Sequence, residues 1–223
     1  MVLKVLGSSS AGNCYILESD TEALIIEAGL PFMEVKKALN FNVRKIVGVV
    51  AGHCHKDHSG FVDQYKGICP IYKPYEVITP NNRFGNFFIK AFPLVHDVPC
   101  YGFYISHPEI GNMVYASDTE YIKYRFKTLN HIFVEANYSD DLIENESVNR
   151  EHVLRGHMSL QTALDFISTN DNANLRTVCL LHLSDKNSDS EQFLQKTKET
   201  VKYGADCYIA EKGLEVDLNL CPF

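Results

Sequence analysis

The chain has 223 residues, 45% of them hydrophobic and 22% charged, and a formal charge of −7. That length suits one large domain or two small ones and buries roughly 70% of the unfolded chain's surface without staples. It holds no apolar run near the ~20 residues a membrane span requires, and MVLKVLGSSSAGN is too short in apolar residues for a secretory signal. The expectation is a cytoplasmic protein with no membrane partner. The acidic balance argues against a general nucleic-acid coat, although divalent ions bound in one cleft would change the potential there. The seven cysteines, Cys14, Cys54, Cys69, Cys100, Cys179, Cys207 and Cys221, form no C-x-x-C pair and read mostly as small buried hydrophobes in a reducing compartment.

In chain order, Val2–Leu6 and Cys14–Glu18 flank the turn Gly7–Asn13 and read as a hairpin. Ala23–Glu27 is a third strand, and Pro31 opens a helix to about Leu39, proline being tolerated in the first turn. Lys45–Ala51 is an apolar strand of the kind covered on both faces, and the GHCHKDHSG that follows it reads as neither strand nor helix. Asn86–Phe92, Tyr101–Ser106 and Met113–Ala116 are strands, with a hairpin turn at His107–Asn112. His131–Ala136 and Thr177–Leu183 are further buried strands, Leu160–Ser168 and Ser190–Tyr203 carry helical periodicity, and Cys207–Ala210 and Leu214–Val216 close the chain as short strands. Tyr121–Phe126 (YIKYRF) reads as a half-buried helix, with a nucleic-acid-stacking patch or a dimer contact as the alternatives. No linker or low-complexity tract divides this βα-rich pattern, which favours a single layered α/β domain over 1–223.

The chemistry concentrates in His53-Cys54-His55-Lys56-Asp57-His58, three imidazoles and a carboxylate within six residues, directly after an apolar strand. Zinc, manganese and iron accept both donor types. Alternate residues of an extended loop point the same way, so His53 and His55 can share one ion while Asp57 and His58 turn toward a second. A lone histidine is more often a solvated surface group; H-x-H-x-D-H is a different matter.

This motif resembles that of the metallo-β-lactamase superfamily, and later segments resemble the superfamily's remaining signatures in order. His96 of PLVHD, Asp118 of YASDT and His182 of LLHLS look like the third ligand of the first ion, the bridging aspartate and the last ligand of the second ion. The resemblance implies a four-layer αβ/βα sandwich and two divalent ions, zinc foremost, with manganese and iron as alternatives. Two departures stand out. Glu27-Ala28-Gly29 occupies the place of the usual D-x-G turn, and Gly52 the place of a frequent threonine. The acidic residue of that turn supports the ligand loop by hydrogen bonds, a role a glutamate can fill with a small shift.

GSSSAGNCYIL, EAGL, HDVPCYGFYI, SDT, EAN, RGHMS and LLHLS extend the resemblance to the YycJ/WalJ-like metallohydrolases over nearly the whole length. That branch implies phosphodiester hydrolysis on nucleic acid, including exonuclease activity. In the related RNase Z and RNase J a histidine outside the metal shell, steadied by an acidic residue, assists the leaving oxygen. His157 of RGHMS is the candidate here, with Glu135 of VEAN as its orienting carboxylate; the bland alternative is that His157 caps the helix near Ser159. Asp57, His157 and Glu135 are therefore the candidate catalytic residues. Lys56, Arg155 and Lys186 flank the motifs as candidate phosphate contacts, solvated surface charges being the simpler reading. A cyclic-nucleotide or other small-nucleotide phosphodiesterase, and a thioester or carboxylester hydrolase of the glyoxalase II type, share the same ligands and stand as alternatives. A non-catalytic metal-binding scaffold is a fourth reading, kept open by Glu27. Oligomeric state is open, a homodimer included.

Overall fold

The computed structural model describes residues 1–142 and 156–220. The chain divides into two compact units, Met1–Ala91 with Ile105–Gly111 and Ala210–Phe223, and Phe92–Tyr104 with Asn112–Ile209.

In the first unit, β1 (Val2–Gly7), β2 (Cys14–Glu18), β3 (Ala23–Ile26), β4 (Ile46–Val50), β5 (Ile71–Tyr72) and the late strand Glu215–Asp217 form one sheet. β1 and β2 make the expected antiparallel hairpin, with an irregularity between Val5 and Gly7, and the late strand pairs with the other edge of β1. β3 and β4 run parallel, with Ile26 opposite Val50, so the segments leaving them begin at the same end of the sheet. β2 and β3 are almost wholly buried, and their apolar residues pack with Phe32, Val35 and Leu39 of the helical segment around α1 (Phe32–Ala38). Pro31 is the residue before the helix rather than in its first turn.

The next strands are β6 (Asn82–Phe84), β7 (Phe87–Pro93), β8 (Tyr101–His107), β9 (Gly111–Ala116), β10 (His131–Glu135), β11 (Thr177–Leu181) and β12 (Asp206–Ile209), and Glu215–Asp217 is β13. β6 to β12 form a second sheet in the order β12-β11-β10-β9-β8-β7-β6. Within the second unit β9, β10, β11 and β12 pair in parallel. β10 and β11 are buried at every position, as strands between two parallel neighbours must be. α3 (Leu160–Asn170) and α4 (Ser190–Thr200) start where Ser159 and Asp189 accept the backbone N–H of Thr162 and Gln192, the usual N-cap arrangement. Their apolar faces, with Leu160, Ile167 and Phe193, join Val114, Ile132, Val134 and Val178 in the core of this unit.

Two further sequence expectations are corrected. The GHCHKDHSG segment contains a one-turn helix, α2 (Lys56–Ser59), begun at His55, and four residues are too few to carry a periodic signal. Tyr121–Phe126 is not helical. Its Ile122, Tyr124 and Phe126 pack on the core of the second unit while residues between them face solvent, the two-residue alternation of extended chain. Two short strands, β5 and β6, have no counterpart in the sequence reading. Among the described residues no helix is long and apolar enough to cross a membrane. The six described cysteines are free; only Cys54 is exposed, and burial pushes the thiols of Cys69 and Cys207 up to about 11, so they stay protonated and inert. Cys221 lies outside the described residues.

Candidate metal centre

In the first unit the parallel pair β3–β4 delivers Glu27 and Gly52 to one end of the sheet. Glu27 N–H donates to Val50 O, and both carboxylate oxygens of Glu27 accept from Gly52 N–H at 3.2 Å. The same carboxylate lies 3.6 Å from His58 Nδ1. Glu27 thus supports the ligand loop from beneath, the role expected of the acid in this turn. The loop is stitched down elsewhere too. Asn13 N–H donates to Asp57 O and Ala28 N–H to His58 O, each at 2.7 Å, while Asn13 Nδ2 lies 2.8 Å from His58 Nε2. Gly29 permits this approach, because a Cβ there would stand 1.7 Å from Asp57 O. The outcome is a tight group of imidazoles. The rings of His53 and His55 are 4.8 Å apart and those of His53 and His58 4.2 Å apart, with His53 and His58 fully buried.

In the second unit three adjacent parallel strands end together. Val134 of β10 is opposite Ala116 of β9, and Glu135 is opposite Leu181 of β11. Asp118, Glu135 and His182 therefore emerge at one edge, where ligands of open α/β sheets gather. His157 joins them from the segment before α3, and ligand atoms of Asp118, Glu135, His157 and His182 all fall within 4.8 Å of one another. Glu135, fully buried, organises the group. Its Oε1 accepts from His157 Nδ1 at 2.6 Å and His182 Nδ1 at 3.2 Å, and its Oε2 accepts from Thr119 N–H at 3.0 Å. Burial alone would raise its carboxyl, but the charge and hydrogen bond of His157, with the hydrogen bond of His182, outweigh that and hold it below the usual carboxylate range. With an ionised acceptor facing Nδ1, both imidazoles carry a proton there.

The surrounding residues fix these donors. Asn137 Nδ2 donates to His182 O at 2.8 Å, and Ser117 Oγ donates to Asp118 Oδ1 at 3.2 Å. His96 follows β7, and its Nδ1 lies 2.9 Å from Gly156 O. Burial pushes the His96 imidazole below its ordinary range, against the opposing pull of Asp118 and Asp97, and this favours the neutral form that binds metal. Glu27, Asp118 and His182 hold left-handed backbone conformations, at φ 62, 54 and 53. Strain of this kind in non-glycine residues concentrates at functional sites.

All the residues read from the sequence as ligands thus lie in two donor groups, His53, His55, Asp57 and His58 in one unit and His96, Asp118 and His182 in the other, with Glu135 and His157 beside the latter. Neutral imidazole and carboxylate, held by outer hydrogen bonds, fit divalent metal ions. His157 does not cap α3; Ser159 does. Lys56 and Lys186 are exposed, and Arg155 lies outside the described residues. The sequence reading missed Asn13, Thr119 and Asn137 as supports. Asn13 and Asn137 were signalled only by their presence in the GSSSAGN and EAN segments.

Residues 9–143 match the family model of the metallo-β-lactamase superfamily. The chain belongs to this superfamily. Solved structures with the same fold include YhfI from Bacillus subtilis, 18% identical, covering 96% of this chain and 98% of that one at a TM-score of 0.72. A diphosphatase of the PhnP family is 14% identical, covering 99% and 98% at 0.67. The short form of human tRNase Z is 12% identical, covering 98% and 99% at 0.66. At such identities the likeness concerns the fold. No curated protein matches the sequence. The metallo-β-lactamase fold expected from the motifs is the fold found, and the chain is a metal-dependent hydrolase of this superfamily.

Proposed function

We propose that the chain is a two-metal phosphodiesterase that trims nucleic-acid ends, in the manner implied by its likeness to the YycJ/WalJ-like branch, and that it works as a single domain in the cytoplasm. The observation that carries this reading is the 2.6 Å hydrogen bond between Glu135 Oε1 and His157 Nδ1. A metal site alone serves carbonyl and phosphoryl substrates alike. A histidine held beside it by a buried carboxylate is what an alkoxide leaving group needs. The diphosphatase and the tRNase among the similar structures are in keeping with phosphoryl chemistry.

In this reading the residues that would hold two zinc ions are His53, His55, Asp57 and His58 of the first unit and His96, Asp118 and His182 of the second. When bound, such ions supply a nucleophile from water at neutral pH and neutralise charge on the phosphoryl oxygens. The chain's own residues do the rest. Asp57 and Asp118 contribute negative charge that keeps the ions in place. His157 delivers a proton from Nε2 to the departing oxygen, and Glu135 keeps the Nδ1 proton in place and balances the cationic imidazole. The identity of the leaving group then decides the rate, since a poor one depends most on that proton.

The test is cleavage of 5′- and 3′-labelled oligonucleotides by zinc-loaded protein, beside cyclic nucleotides and a glutathione thioester. Stepwise shortening of the oligonucleotides supports the proposal. Turnover of cyclic nucleotides alone would replace it with a small-nucleotide phosphodiesterase, and turnover of the thioester alone with a glyoxalase II-type hydrolase.

A further inference from the structure

The backbone that carries His96 has little burial to hold it. Pro93, Asp97 and Pro99 are exposed, and Leu94, Val95 and Val98 are only half-buried. The stretch lies beyond the end of β7, so discrete hydrogen bonds set its course rather than strand pairing. Leu94 N–H donates to Cys100 O at 2.9 Å. Val95 is bound at both of its backbone groups. Its N–H donates to Thr119 Oγ1 at 3.0 Å, and its carbonyl accepts from Glu120 N–H at 3.0 Å. Thr119 is fully buried, and its hydroxyl donates in turn to Tyr121 O at 3.0 Å. The backbone N–H of the same residue is the one that Glu135 Oε2 accepts.

We infer that Thr119 is a positioning residue of the metal centre, its hydroxyl acting through Val95 on His96. The inference rests on the reading of His96 and Asp118 as ligands. A threonine hydroxyl has one proton, and giving it to Tyr121 O leaves a lone pair for Val95 N–H, so the contact has a fixed direction. The two peptides that flank Val95 are thereby tied, one to Thr119 and one to Glu120, and the chain leaves Val95 toward His96 along one path. Thr119 and Glu120 directly follow Asp118, whose backbone is fixed in its own right. Asp118 is left-handed at φ 54, and its carbonyl accepts from Cys100 Sγ at 3.6 Å. The clasp therefore sets His96 in register with Asp118, and the hydroxyl is one of its two bonds. The contact of His96 Nδ1 with Gly156 O orients the ring but not the backbone beneath it. The hydroxyl is also separable from the N–H that serves Glu135, since a valine in this place keeps the shape and the N–H and lacks only the hydroxyl.

Zinc affinity of the full chain, measured by competition with a chromophoric chelator, tests this without any substrate. Thr119→Val is expected to weaken binding of one zinc about 10-fold, the range seen for outer partners of metal ligands. Thr119→Ser, which keeps the hydroxyl, should bind zinc like the wild type. In the cobalt-substituted protein, Thr119→Val should shift the visible ligand-field bands and Thr119→Ser should leave them in place. Added to His96→Ala, Thr119→Val should weaken metal binding no further, because the residue it acts through is gone. If valine prevents folding, Thr119→Ala takes its place in the same comparisons. Wild-type zinc affinity and cobalt bands in Thr119→Val, whatever its thermal stability, would overturn the inference and leave the hydroxyl a structural role alone. Equal losses in Thr119→Ser, or a fully additive loss on top of His96→Ala, would overturn it too. A wild-type chain that bound no zinc would overturn the ligand reading together with the inference, whereas failure on oligonucleotides would touch only the proposed substrate.

Discussion

Glu135 Oε1 stands 2.6 Å from His157 Nδ1, a short charge-assisted contact at the buried end of β10. The same oxygen receives His182 Nδ1 at 3.2 Å, so one carboxylate sets the tautomers of His157 and His182 together.

That sharing separates the two residues experimentally. His157→Ala should lower kcat on diesters about 10²- to 10⁴-fold, the usual worth of general acid catalysis, with zinc stoichiometry unchanged. Glu135→Gln removes the ionised acceptor from both imidazoles, so it should lose kcat and also weaken zinc binding about 10-fold. Steady-state kinetics beside chelator titration reads both. Equal zinc affinity in the two variants would mean that the His182 contact contributes nothing.

The dependence on leaving group is a second consequence. With p-nitrophenolate, which departs readily, His157→Ala should cost less than with an alkoxide leaving group such as the 3′ oxygen of a nucleotide. The comparison is one of kcat ratios on two substrates of the same enzyme. An identical loss on both would place His157 in binding rather than in proton delivery.

Gly29 explains part of why the ligand loop has one shape. A Cβ there would meet Asp57 O at 1.7 Å and Asn13 N at 2.7 Å, two atoms bonded to each other. Gly29→Ala should therefore destabilise the chain by about 3 kcal/mol or more through overpacking, lowering Tm by roughly 6–12 °C for a chain of this size. Calorimetry of the metal-free protein checks this, and an unchanged Tm would show that the two strand ends can part at little cost.

A buried network around Glu22 contributes to the dependence of stability on pH. Glu22 Oε1 lies 2.9 Å from His107 Nε2 and accepts from Asn86 Nδ2 at 2.7 Å, while Oε2 accepts from Asn86 N–H at 3.0 Å. Burial raises the Glu22 carboxyl, but the His107 and Asn86 contacts prevail and hold it below the usual range. A depressed folded value means that the contribution is fully present above the ordinary carboxylate pKa of about 4.3 and lost as pH falls through the lowered one. Glu22→Gln should accordingly be destabilised at pH 7, with a gap to the wild type that narrows on acidification toward pH 3. A gap that widened would reverse the assignment.

Much of this was legible from local pattern. The strands β1 to β4 and β7 to β11 fall within a few residues of their expected bounds because each is a run of β-branched or apolar residues closed by a turn. The donors of His53–His58 were legible because an ion accepts imidazole and carboxylate, whereas His96, Asp118 and His182 were found through the likeness of their segments to the superfamily's. Some features were not. α2 is a single turn, β5 spans two residues, and the helix expected at Tyr121–Phe126 is extended chain whose alternation is short enough to resemble a helical stripe. The Glu22–His107 pair joins residues 85 apart, which no local pattern encodes.

The measurement that bears most directly on the account is hydrolysis of bis(p-nitrophenyl) phosphate by zinc-loaded protein, beside Asp118→Ala, His157→Ala and a thioester control. The account predicts diester cleavage that is abolished in Asp118→Ala, reduced in His157→Ala and removed by chelator, with little thioester turnover. Thioester cleavage without diester cleavage, indifferent to His157, would contradict it.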